Sequence, residues 1–354
     1  MYTINMDKLT SVVEVDSFTE YVSSKYDYKF DGNISFEPHN KPELPENFKT
    51  LLITGSSGSG KSTLLKEFGS ITNQPQWIAN KAIVSNFNTP EEATELLSAV
   101  GLNSVPSWFK PYNVLSNGEQ FRANLARQLK SGAIIDEFTS VIDRTVAKAA
   151  CNSISKYIKQ KDLSNIIFSS CHSDIIEWLQ PQYVFDCNTG SLIRGCQRRP
   201  SLNLAIYQCS RKYWDLFRNH HYLDTNLNFA AKCYLATWNG IPVAFNAVLN
   251  FPSGSLKKAY RGHRLVVLPD YQGLGFGVAL VNYVAQKYVD EGKRYFARTT
   301  HPRLGEYREK SPLWKATSAN KKKRKDTHRE EERDFNSYIP DANRICYSHE
   351  YIGR

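Results

Sequence analysis

Short apolar runs with polar tips pattern the first half of the chain. Leu51-Leu52-Ile53 has strand length and runs straight into the glycine-rich Gly55-Ser56-Ser57-Gly58-Ser59-Gly60. Ala133-Ile134-Ile135 is a second run, ending in two carboxylates, Asp136-Glu137. Ile166-Ile167-Phe168 is a third, leading to Ser169-Ser170-Cys171-His172. Helices are marked by their starts. Ser116 and Glu119 stand at capping-box spacing, which opens a helix in residues 115–129. Thr89-Pro90-Glu91-Glu92 opens another, with Pro90 in its first turn. Strands alternating with helices predict an α/β unit.

The second half has its own pattern. Residues 234–237 and 243–248 flank Asn239-Gly240, a hairpin signal. Leu265-Val266-Val267-Leu268 is a strand that Pro269 stops. A tight glycine turn follows, Gln272-Gly273-Leu274-Gly275-Phe276-Gly277. Leu280, Val281, Val284 and Tyr288 then recur at helical spacing over residues 278–291. Residues 294–299 and 347–352 read as further strands.

A chain of 354 residues suffices for two domains of ordinary size. Arg198-Arg199-Pro200 reads as a boundary, giving residues 1–196 and 197–354. The 41% hydrophobic and 23% charged composition is that of a globular protein. No apolar run reaches the roughly 18 residues a membrane span needs, so no membrane partner is expected. The N-terminus lacks the pattern of a secretory signal. The seven cysteines form no CxxC pair, which fits reduced thiols and a cytoplasmic location.

Charge divides the chain unevenly. Residues 1–195 hold 18 basic and 21 acidic side chains, and the remainder holds 27 and 14. The second half is therefore the polyanion-facing one, at +13 within a total of +10. Lys321-Lys322-Lys323-Arg324-Lys325 lies in a span, about 315–340, that reads as a basic mobile loop.

The chemistry of the first half follows from spacing. Gly55-x4-Gly60-Lys61-Ser62-Thr63, after a strand and before a helix, is a phosphate-binding loop. Amides of Gly55, Ser57, Gly58, Gly60 and Thr63 would cradle ATP phosphates, and Lys61 would reach the outer ones. Ser62 and Asp136 would hold Mg²⁺, and Glu137 would act as general base on water. Together with residues 115–119, Leu-Ser-Asn-Gly-Glu, the first half resembles the ABC ATPase family. That family usually reads LSGGQ; here Asn117 and Glu119 depart, while Ser116 and Gly118 are kept. The resemblance implies that Ser116 and Gly118 of one copy close on the ATP of another, giving a homodimer. It also implies a D-loop at Thr139-Ser140-Val141-Ile142-Asp143 and a γ-phosphate contact at His172. A Q-loop glutamine is not evident: Gln76 stands too near Lys61, with Asn86 or Asn88 as substitutes. The helical arm is short, which disfavours a transporter. Phe36 is a candidate to stack on adenine, or an ordinary core phenylalanine.

The turn at 272–277 resembles the acyl-CoA-binding turn of GNAT acyltransferases, with Gln272, Gly273, Gly275 and Gly277 in its pattern. Residues 217–223, containing His220-His221-Tyr222, resemble the phage Mom-type enzymes that modify adenine in DNA. That likeness implies His221 and Tyr222 as catalytic residues, with His263 and Asp270 behind them. The combined reading is an α/β chain, a P-loop ABC-type domain followed by a GNAT-like domain. It implies an ATP-dependent acyltransferase acting on a base amine of nucleic acid, DNA before RNA. Two other readings stand beside it. One is an ABC ATPase of repair or defence type whose second half only grips DNA. The other is an ATP-regulated N-acyltransferase of a protein or small amine.

Overall fold

The computed structural model describes residues 8–195, 200–221, 225–251, 256–323 and 345–353. Tyr222, Arg198-Arg199, and the basic run from Arg324 onward lie outside the described residues. The chain forms two compact units. One is drawn from residues 1–81, 85–101 and 112–200, the other from 82–84, 102–111 and 201–354.

The first unit opens with β1 (Leu9–Val12), α1 (Ser17–Tyr26) and β2 (Asn33–Phe36), where β1 and β2 pair antiparallel. Then come β3 (Thr50–Thr54), α2 (Lys61–Lys66) and α3 (Pro90–Ala99). Helix α4 (Val105–Trp108) belongs to the second unit. The first unit continues with α5 (Asn117–Gln128), β4 (Ile134–Ile135) and α6 (Arg144–Lys161). It ends with β5 (Ile166–Ser170), α7 (Ile176–Leu179), β6 (Tyr183–Asp186) and β7 (Ser191–Arg194). The sheet order is β4-β5-β3-β6-β7. Strand β3 runs parallel to both neighbours, and β7 closes one edge antiparallel. Leu51, Leu52 and Ile53 of β3 are fully buried, as expected of a central parallel strand covered on both faces.

Helix starts follow their caps. Ser116 caps α5: its hydroxyl accepts the Glu119 N–H, and the Glu119 carboxylate accepts the Ser116 N–H at 2.9 Å. Thr89 caps α3, with Pro90 in the first turn. On the open edge of β4, Thr72 bonds to Ile134 in both directions. Its N–H donates to the carbonyl at 2.8 Å and its hydroxyl accepts the Ile134 N–H at 3.0 Å. Residues near 72 therefore lie beside the strand that ends in Asp136.

The second unit is built on β8 (Ala205–Cys209), α8 (Trp214–Phe217), β9 (Lys232–Trp238) and β10 (Ile241–Asn250). It continues with β11 (Ala259–Val267), α9 (Phe276–Asp290), β12 (Arg294–Thr299) and α10 (Pro302–Lys310). The last strands are β13 (Trp314–Ala316), β14 (Lys322–Lys323) and β15 (Ile345–Tyr351). The order is β13-β15-β12-β11-β10-β9-β8, with β14 also on β15. Asn239-Gly240 makes the β9–β10 turn, both residues at positive φ, as the sequence predicts. Within the span read as a basic loop, Trp314–Ala316 and Lys322–Lys323 are strands on β15.

One pairing is parallel, and it is short. Strand β11 meets β12 only from Ala259 opposite Arg294 to Arg261 opposite Phe296. Beyond those pairs β11 runs on to Val267 beside β10 alone, while β12 runs on to Thr299 beside β15. The ladder is interrupted where β11 approaches the glycine turn.

Candidate functional site

Strand register gathers the first unit's chemistry. Thr54 pairs with Ser170, and Ile135 with Phe168, so β3, β4 and β5 finish at one edge of the sheet. From those ends issue the 55–60 loop, Asp136-Glu137, and Cys171-His172. The C-terminal edge of a parallel sheet is where such folds place ligands.

The loop at 55–60 delivers Lys61 at the start of α2. Its ammonium donates to the carbonyls of Gly55 at 2.9 Å and Ser56 at 2.6 Å. Gly60 caps α2 at φ 88° without any side-chain cap, so the first amides of the helix keep their donors. A side chain there would collide with Phe36, whose Cζ lies 2.5 Å from where a Cβ would sit. Phe36 is thus packed on the 55–60 loop itself. Gly55 is buried, while Ser57, Gly58 and Ser62 are exposed and Thr63 is half-buried.

Asp136 and Glu137 are held differently. Ser169 of β5 donates its hydroxyl to the Asp136 carboxylate. The Glu137 N–H is shared between that carboxylate at 2.9 Å and the Ser169 hydroxyl at 3.0 Å. Glu137 sits at φ 49° and Thr139 at φ 71°, left-handed conformations that are uncommon for residues with side chains. The backbone thereby turns out of the sheet directly after Asp136, and the Glu137 side chain is exposed. The oxygen set of Ser62 and Asp136 suits a hard divalent cation such as Mg²⁺.

His172 is half-buried, and its N–H donates to Ser170 Oγ at 3.1 Å. Burial, and then the Arg144 guanidinium, hold its imidazole below the ordinary histidine pKa. Arg144 follows the Thr139–Asp143 segment and forms an ion pair with Asp174, which Lys148 joins at 3.7 Å.

A cavity of about 680 Å³ opens beside Asp136 and Glu137, and Asn73, Gln74, Asn117 and Ser140 are among its walls. Gln74, which the sequence did not single out, is brought to this wall by the fold. Its spacing from Lys61 is short, and its place comes from Thr72 lying on β4, a long-range pairing. Of the asparagines considered for that place, Asn86 accepts the Ile78 N–H on its Oδ1, and the Asn88 backbone N–H donates to Glu92. Ser116 and Gly118 stand at the start of α5, with Gly118 packed against Val146 of α6.

In the second unit, Gly273 and Gly275 adopt φ 93° and 89°, and Gly275 caps α9 without a side-chain cap. A Cβ at Gly277 would lie 2.9 Å from Val267 Cγ2, so only glycine lets the helix start this close to β11. Gln272 ties the turn down. Its Oε1 accepts the Asn103 N–H at 2.8 Å and its Nε2 donates to the Val267 carbonyl at 3.0 Å. Sequence reading gave Asn103 no part in this turn.

His221 ends the helical segment after α8, its ring edge-on to Trp214 at 5.8 Å. Trp214 in turn packs on Phe245 of β10. His263 on β11 accepts the Asn228 N–H at 3.5 Å, and Asp270 is exposed in the 3-10 turn before Gln272. Tyr222 lies outside the described residues.

Residues 201–308 match the model of the Acetyltransferase (GNAT) family. No curated protein sequence matches the chain. Among solved structures, the dimeric ATP-binding cassette MJ0796 in a post-hydrolysis state with ADP and Pi is similar. It covers 49% of this chain and 95% of its own at 17% identity, TM-score 0.35. The ribosomal-protein-S18-alanine N-acetyltransferase from Escherichia coli covers 43% and 96% at 14% identity, TM-score 0.31. A GNAT family acetyltransferase from Elizabethkingia anophelis with acetyl-CoA bound covers 42% and 95% at 14% identity, TM-score 0.27. The second unit thus carries a GNAT-type domain over 201–308, and the chain is of the α/β class expected. What marks the first unit is its own sheet order and the loop at its edge. Among the described residues, no helix is long and apolar enough to cross a membrane.

Proposed function

We propose that the chain couples ATP hydrolysis in the first unit to acyl transfer onto a nucleic-acid base amine by the second. The observation that carries the ATP half is the shared edge: the 55–60 loop, Asp136-Glu137 and His172 leave three adjacent strand ends.

In this reading the 55–60 amides and Lys61 bind the phosphates, and Phe36 stacks on the adenine. Ser62 and Asp136 hold Mg²⁺, which supplies charge neutralisation at the outer phosphates. Ser169 keeps the Asp136 carboxylate turned toward that place. Glu137, exposed beside Asp136, takes the proton from water. His172, kept neutral by burial and by Arg144, donates one N–H to the γ-phosphate. Gln74 serves as the Q-loop residue. Ser116 and Gly118 complete the site of a second copy, so the working form is a homodimer.

The GNAT-type domain carries the transferase half. The free amides at the start of α9 bind the pyrophosphate of acyl-CoA. The interrupted β11–β12 ladder admits the acyl arm. His221 and Tyr222 act as base and acid on the amine and the leaving thiolate. The +13 charge of residues 196–354 draws in the nucleic acid. Of the two nucleic acids, DNA is the substrate in this reading. A cytoplasmic location goes with this reading.

The test is nucleoside mass spectrometry on DNA and tRNA from cells making the wild type, Lys61→Ala or His221→Ala. A base adduct present with the wild type and lost with both variants is the expected result. No adduct on either nucleic acid, together with ATP turnover indifferent to both at low salt, overturns the nucleic-acid assignment. DNA-stimulated turnover with no acyl-CoA binding by calorimetry would instead select the DNA-gripping ATPase.

A further inference from the structure

The first unit has little between α2 and α5 with which to form a helical arm. It has an aromatic joint instead. The Trp77 indole stacks on the Tyr112 ring at 5.1 Å with 7° between the planes. The Arg127 guanidinium lies 5.0 Å from the indole and donates to the Gln76 carbonyl at 2.6 Å. Trp77 Nε1 donates to Asn124 Oδ1 at 2.7 Å, and Asn124 Nδ2 donates to the Tyr112 hydroxyl at 2.8 Å. Gln128 Nε2 donates to the Asn73 carbonyl at 3.2 Å.

Asn124, Arg127 and Gln128 stand at helical spacing i, i+3 and i+4, so they form one face of α5. All three hold residues 73–77. The stretch they hold contains Gln74, which lines the cavity with Asp136 and Glu137. The helix they belong to starts at Ser116. The loop beside the catalytic carboxylates and the helix bearing the signature serine are thus joined by stacking, cation–π contact and four side-chain hydrogen bonds to or within the joint.

We propose that Trp77 is a positioning residue that makes the Gln74 loop and helix α5 one rigid body. Occupancy of the Asp136–Glu137 site is then felt at Ser116 without a separate hinged arm. This rests on the proposed ATP site. The joint leaves the 55–63 loop untouched, so it governs how fast a bound nucleotide turns over and not how tightly the phosphates are held.

Steady-state ATP turnover on the full chain tests this, with nucleotide affinity measured separately in a Glu137→Gln background. Trp77→Ala should lower kcat about tenfold while KM and the affinity for ATP stay within about twofold. Trp77→Phe keeps the stack but loses the Nε1 donor, and should recover kcat to within about threefold of the wild type. Asn124→Ala should resemble Trp77→Phe. A folded Trp77→Ala protein with wild-type kcat overturns the proposal. So does a loss of affinity in step with kcat that phenylalanine fails to rescue, since that marks general structural damage. If the Glu137→Gln protein with Trp77 intact fails to bind ATP, the ATP-site reading itself is wrong and this proposal goes with it.

Discussion

The Ser169 hydroxyl donates to the Asp136 carboxylate and accepts the Glu137 N–H, so one side chain on β5 orients both acidic residues at the end of β4. Hydrogen bonds to a charged group contribute about 1.5–3 kcal/mol, more than neutral ones. Ser169→Ala removes the donor and leaves Glu137 N–H with Asp136 alone. Expected is a fall of about tenfold or more in ATP turnover, with the metal requirement moved to higher Mg²⁺. Nucleotide affinity without Mg²⁺ should be unchanged, because the 55–60 loop makes no use of Ser169. Turnover and Mg²⁺ dependence equal to the wild type would show that Asp136 is oriented by other means.

The α9 turn offers a steric test. Gly277→Ala drives a Cβ into Val267 Cγ2 at 2.9 Å. Overpacking of this kind costs about 1–3 kcal/mol. Val267→Ala alone leaves a small void, but in the double variant it makes room for the new methyl. The pair should therefore couple, the double variant being more stable than the sum of the singles. Additive losses in a thermal or urea melt would mean that the helix simply shifts aside.

Much of this architecture was legible from local signals. The strand before the glycine-rich 55–60 loop, the Ser116–Glu119 capping box, Pro90 in the first turn of α3 and the Asn239-Gly240 hairpin each need only a few residues of context, and each is present. What stayed hidden depends on distant pairings. Gln74 gains its place because Thr72 bonds to Ile134, far along the chain. Residues 102–111 precede Ser116, yet they pack within the second unit, where Asn103 meets Gln272. Strand β15 reads as a closing strand but lies between β12 and β13, an order that the alternation of its residues could not reveal.

Gln272 separates two roles that one residue type can play. Its amide accepts from Asn103 and donates to Val267, so both ends are used. Gln272→Glu keeps an acceptor for Asn103 but sets a carboxylate oxygen against the Val267 carbonyl. Gln272→Ala removes both bonds without adding repulsion. Glutamate should therefore be the more damaging change, weakening acyl-CoA binding by calorimetry by about tenfold against a smaller loss for alanine. The opposite ranking would show that the side chain serves the ligand and not the turn.

The second unit should lose stability on acidification because of His301. This residue caps α10, lies beside Trp108 with ring centroids 6.5 Å apart, and has a buried Nδ1 without a hydrogen-bond partner. Burial, aided by Arg303, pushes its imidazole down to about 4 from the ordinary histidine value of 6.5. The unfolded chain then binds a proton that the folded one refuses. The resulting stabilisation is complete above about pH 6.5, declines as pH falls through that value, and is gone near pH 4. Its ceiling is about 3 kcal/mol, set by the size of the shift. Urea melts at pH 7 and pH 4.5 should show a larger loss for the wild type than for His301→Gln, which cannot titrate. Burial of His349 also depresses its pKa, but that contribution is common to both proteins and cancels in the comparison. Equal losses for the two proteins would mean that the His301 imidazole accepts its proton in the folded state as readily as in the unfolded one.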